Sequence, residues 1–89
     1  MKAVVTVVGK DRVGIIALVC TELARYNVNV LDISQTVMQG YFTMMMVVDV
    51  EKANVPLAQL AQELEEKGRE VELSIRLQRQ DIFDAMHKI

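Results

Sequence analysis

The chain has 89 residues, enough for one domain and too few for a second core. Its 52% apolar content excludes general disorder, and a net charge of −2 argues against a nucleic-acid binder that relies on phosphate contacts. A single cysteine, Cys20, can form neither an internal disulfide nor a paired metal site, so a reduced, intracellular protein without metal or cofactor is expected.

Strand one is expected from Lys2 to Val8. The run from Ala3 to Val8 is too short for the apolar core of a signal peptide, and Lys10, Asp11 and Arg12 follow at once. No apolar stretch approaches the roughly 20 residues that span a bilayer, so a cytoplasmic protein with no membrane partner is expected. A helix starting near Gly14 follows, with Ile15, Ile16, Leu18, Val19 and Leu23 at helical spacing, and it fails at Tyr26-Asn27. Strand two covers Val28 to Met38, with Leu31, Ile33 and Val37 on one side and Asp32, Ser34 and Thr36 on the other.

Gly40 marks a tight turn into strand three, Tyr41 to Val50, and two strands joined so closely pair antiparallel. In helix two, Pro56 suits the first turn after Asn54 or Val55 as cap, and Leu57, Leu60, Ala61 and Leu64 recur along one face. Gly68 is expected to close it as the residue just past its end. Strand four alternates cleanly, with Val71, Leu73, Ile75 and Leu77 inward and Glu72, Ser74, Arg76 and Gln78 outward. A last helix capped by Asp81 is expected to bury Ile82, Phe83, Met86 and Ile89.

The order β-α-β-β-α-β with a terminal helix is the α+β, ferredoxin-like pattern: a four-stranded antiparallel sheet with two helices on one face. The other face carries Thr6, Ser34, Thr36, Thr43, Ser74 and Arg76, with Met45 and Val47 among them, and could form half of a subunit interface.

Because this fold hosts many activities, function has to be argued from a site. The candidate is Gly9-Lys10-Asp11-Arg12-Val13-Gly14-Ile15, between strand one and helix one. A strand that turns into a helix leaves amides without intrahelical partners at the positive end of the helix dipole, where a carboxylate or phosphate can sit. Asp11 also has a plain reading as helix cap and Gly14 as a point of close helix–sheet approach, while Arg12 reads as a solvated cation or as a ligand-binding or interface contact.

That loop is similar to the G-x-D-R-P-G-I signature of the ACT domain, a small ligand-responsive regulatory module of amino-acid metabolism. Tyr26-Asn27-Val28-Asn29-Val30-Leu31-Asp32-Ile33 resembles the same family's G-x-N-I-x-D-I entry into strand two. The likeness covers the whole chain, 1–89, as one domain. It extends to free-standing single-ACT proteins of bacteria, similar to one half of the glycine-cleavage repressor. Val13 stands where the family has proline, and Tyr26-Asn27 replaces a glycine.

The resemblance implies a homodimer that binds an amino acid between the first loop of one subunit and the start of strand two in its neighbour. Amides near Val13, Gly14 and Ile15 would take the ligand's carboxylate, Asn29 from across the interface would bond either end, and Asp11 or Asp32 would meet its ammonium group. Such a dimer would signal to a protein partner. The alternative is a ligand-free interaction module that uses the exposed sheet and last helix.

Other readings fare worse. No Ser-His-Asp, Cys-His or paired-carboxylate set is visible, so catalysis is not expected. The adjacent aromatics Tyr41 and Phe42 point to opposite faces, whereas base stacking needs them on one. Met44, Met45 and Met46 alternate along a strand and suit core filling better than a soft metal. Cys20 and His87 read as structural or idle.

Overall fold

The computed structural model describes residues 1–86. In chain order it contains β1 (Lys2–Lys10), α1 (Ile15–Arg25), β2 (Asn29–Met38), β3 (Tyr41–Asp49), α2 (Leu57–Glu70), β4 (Ser74–Arg79) and α3 (Gln80–Met86). The sheet order is β2-β3-β1-β4, and every pairing is antiparallel. This is the expected ferredoxin-like arrangement.

Alternation places Ala3, Val5 and Val7 of β1 on the same face as Met44, Met46 and Val48 of β3, all wholly buried. Val19 and Leu23 of α1 and Leu60 and Leu64 of α2 pack onto that face, with Ile75 from β4. Met44 and Met46 therefore fill the core. Val4 points the opposite way, yet it is 4% exposed, because α3 lies against β1 and β4 on the otherwise open face.

Both long helices end in the same turn. At the end of α1, the Val28 amide donates to Leu23 O (3.0 Å) and Asn27 to Ala24 O (3.0 Å), with Asn27 left-handed at φ 61°. At the end of α2, Leu73 donates to Gly68 O (2.7 Å) and Glu72 to Arg69 O (3.3 Å), with Glu72 at φ 60°. These are Schellman closures, which satisfy the last carbonyls and aim the chain into the next strand. Asn suits the left-handed position in the first, and its Nδ2 also donates to Lys52 O (2.8 Å).

Several boundaries differ from the sequence expectation. Gly68 does not close α2; it lies inside the helix, where a Cβ would stand 2.6 Å from Leu73 O. Its smallness permits the close return of the chain, and Glu72 takes the left-handed position instead. β4 accordingly begins at Ser74 rather than Val71. Pro56 itself caps α2, with extended backbone (ψ 151°) and no side-chain cap bond.

In α3, Asp81 lies within the first turn and bonds the Arg79 guanidinium and the Ile82 amide, and Ile82 is 46% exposed rather than buried. The Met86 side chain, His87 and Ile89 lie outside the described part of the chain. β2 and β3 join through Gln39 (φ 50°) and Gly40 (φ 81°), the two left-handed positions of a type I′ hairpin.

The turn after α2 gives a direct test. Glu72→Gly removes the left-handed penalty of a side chain and is expected to raise the melting temperature by roughly 3–6 °C. Gly68→Ala forces a Cβ against Leu73 O and should destabilise by about 1–3 kcal/mol in urea titration.

Candidate functional site

β1 runs two residues further than its alternation suggests, pairing Gly9 with Phe42 and Lys10 with Tyr41. The first loop is thereby shortened to 11–14. Its start is fixed by the Asp11 amide, which donates to Gly40 O in the β2–β3 hairpin (2.8 Å). Its end is Gly14, the cap residue of α1, in left-handed conformation at φ 91°. No side chain caps the helix.

Asp11 is therefore not the N-cap: its backbone is tied to the hairpin three residues before the position that a cap occupies. Nor is Gly14 needed for close packing, since a Cβ there would meet nothing within 4 Å. Its requirement is conformational. Leu18 is the first residue of α1 with an i−4 acceptor, at Gly14 O (2.9 Å). The amides of Ile15, Ile16 and Ala17 precede it, at the positive end of an 11-residue helix.

Those amides border a cavity of about 400 Å³ between the start of α1 and β2. Asp11, Arg12, Gly14 and Ile15 line it on the loop side, and Gln35, Thr36 and Val37 line it on the strand side. Phe42, 4% exposed, contributes from β3. Four of the six residues expected to bind a ligand thus share one hollow.

The other two lie elsewhere. Val13 stands at the loop tip, fully exposed and outside the cavity lining. Asn29 is at the far end of β2, in a second hollow of about 530 Å³ with Asn27, Asp49 and Glu51. Arg12 is neither free nor simply solvated: its Nη2 donates to Val71 O (2.6 Å), tying the loop to the turn after α2. Asp32 lies on the open face beside Val47 and accepts a bond from the Ile33 amide (2.9 Å).

Sequence reasoning missed Gln35, Thr36, Val37 and Phe42. A signal was present, since Gln35 is the polar member of the apolar series Ile33, Gln35, Val37 along one strand face. Strand β2 is the sheet edge, and its Gln35, Thr36 and Val37 form one wall of this cavity. Leu31, Ile33 and Val37, expected on one side of the strand, are 46%, 41% and 55% exposed. A bulge between Val30 and Asp32 displaces Leu31 from the register, and Ile33 and Val37 lie at the edge of the sheet, where cover is incomplete. Among the described residues there is no group of three or more His, Cys, Asp or Glu able to hold a metal ion, and no helix long and apolar enough to cross a membrane.

Fold and site together define a small α+β module with an uncapped helix start beside an open sheet edge. The chain belongs to the ACT domain family, whose model matches residues 2–78. It is 53% identical over 88 residues to a UPF0237 protein of Bifidobacterium longum, covering 99% of this chain and 98% of that one. Among solved structures it is similar to an ACT domain protein from Streptococcus pneumoniae, with TM-score 0.82, 43% identity and 94% of each chain covered. It also shares its fold with a protein described as a glycine cleavage system transcriptional repressor, with TM-score 0.74 and 23% identity, covering 89% of this chain and 45% of that one. That coverage fits the likeness to one half of such a repressor.

Replacing Gly14 probes the loop. Gly14→Ala forces a side chain into the left-handed region and should destabilise by about 1–2 kcal/mol, read as a fall in the urea midpoint of roughly 1 M. Gly14→Asn should lose about half as much, because Asn adopts that conformation more readily.

Proposed function

We propose that this chain is a homodimeric regulatory ACT protein that binds an amino acid or a similar small carboxylate at the subunit interface. The observation that carries the reading is the cavity at the uncapped start of α1, whose outer wall is the unpaired edge strand β2.

An exposed ten-residue edge strand with Leu31, Ile33, Val37 and Met38 at its surface invites pairing with another strand. A second copy supplies a matching one. Antiparallel pairing of two β2 strands about a two-fold axis through Ile33 keeps the helix faces of both copies on one side and, with Leu31 bulged out, sets Asn29 of one copy opposite Thr36 of the other. The first hollow of one subunit then meets the second hollow of its neighbour. Asn29, distant from the loop within one chain, thereby reaches the ligand's other end.

In this arrangement the amides of Ile15, Ile16 and Ala17 hold the carboxylate. Binding regulates because the ligand stabilises the closed dimer over other states, altering the surface offered to a protein partner. The second reading, a ligand-free interaction module, draws on Met45, 39% exposed on the open face, and on Ile82 of α3.

Isothermal titration with each of the twenty amino acids at millimolar concentration tests the ligand. Heat and a raised melting temperature for a subset are expected; silence from all of them refutes binding. Ile33→Lys places like charges side by side across the proposed axis. It should convert a two-chain particle into single chains in native mass spectrometry and weaken ligand binding at least tenfold. Retention of the dimer would refute the β2 edge as interface.

A further inference from the structure

Beyond the bulge, the residues of β2 that face the helices are Ile33, Gln35 and Val37, paired with Met46, Met44 and Phe42. Gln35 therefore sets a carboxamide between two aliphatic side chains, across from a methionine that is wholly buried. It lines the cavity at the start of α1. Among the described residues its side chain has no hydrogen-bond partner.

The charges around that cavity narrow the chemistry further. Asp11 and Arg12 are the charged residues that line it. The Arg12 guanidinium is held by Val71 O at 2.6 Å, and Asp11 would repel a second anionic group. Apart from the Thr36 hydroxyl, the remaining wall, with Ile15, Ile16, Val37 and Phe42, is apolar.

We propose that Gln35 determines the side-chain class of the ligand, selecting amino acids with a short, neutral, hydrogen-bonding side chain over aliphatic and acidic ones. The inference rests on the dimeric ligand-binding reading above. When a second copy covers the β2 edge and water leaves, an aliphatic ligand strands the carboxamide without a partner. A ligand hydroxyl or amide satisfies it, and a site built around such a bond rejects analogues that lack it. The apolar wall meanwhile suits a short aliphatic stem, and an acidic ligand meets the carboxylate of Asp11.

The test compares wild type with Gln35→Leu by isothermal titration against L-serine, L-threonine, L-asparagine, L-valine, L-leucine and L-aspartate. Gln35 is exposed in the single chain, so the variant is expected to fold, and a thermal melt and native mass spectrometry check fold and dimer. Wild type should favour the neutral polar group by roughly tenfold or more, and Q35L should lose or reverse that preference while still binding. Two results overturn the assignment alone: wild type binding the aliphatic or acidic amino acids best, or Q35L keeping the wild-type rank order. No binding of any amino acid by wild type overturns this assignment and the ligand reading together. A Gln35→Glu variant gives an independent check, since it should add affinity for L-lysine that Q35L lacks.

Discussion

The central strand β1 is the constraint on which the rest of the structure depends. It is paired on both sides, with β3 along its whole length and with β4 from Ala3 to Val8. Its inward residues Ala3, Val5 and Val7 are sealed beneath both helices, so its position admits little slippage. Because pairing with β3 continues to Lys10, the chain leaves the sheet close to the β2–β3 hairpin, and the Asp11–Gly40 bond fixes that exit. The start of α1, and with it the candidate site, is placed by a ladder that begins on the opposite side of the domain.

Much of this architecture was legible in the sequence because it rests on local periodicity. The spacing of Ile15, Val19 and Leu23 located α1, and the alternation around Ile75 located β4. What escaped notice depended on partners distant along the chain. Gly68 looked like a helix terminator, but its role is set by how closely Leu73 returns, which no local pattern records. Glu72 in a left-handed conformation could not be inferred, since glutamate rarely adopts it. The exposure of Ile33 and Val37 was hidden because an apolar alternation says that a face is suited to burial, not that this chain alone covers it.

The candidate site divides along the same line. Asp11, Arg12, Gly14 and Ile15 are contiguous in sequence and were visible as a motif, whereas the opposite wall came from β2 and became recognisable once the sheet order was known. Arg12 shows what a motif alone leaves out. Read from the sequence as a solvated cation or a ligand contact, it also braces the loop against the turn after α2 through its guanidinium. The arginine thereby links the site to the junction between α2 and β4.

The paired helix exits carry a consequence for how the domain tolerates change in length. Each helix passes the chain to its following strand through a turn with a fixed number of residues, stitched by two short backbone bonds. Adding one residue there would rotate the incoming strand by half a period and send Leu73 and Ile75 to the solvent side. Insertions are disfavoured at both junctions. The stretch between Asp49 and Leu57 is regular in neither helix nor strand, yet bonds from Asn27 Nδ2 to Lys52 O and from the Asn54 amide to Tyr26 O tie it to the first junction, so a change of length there would loosen both.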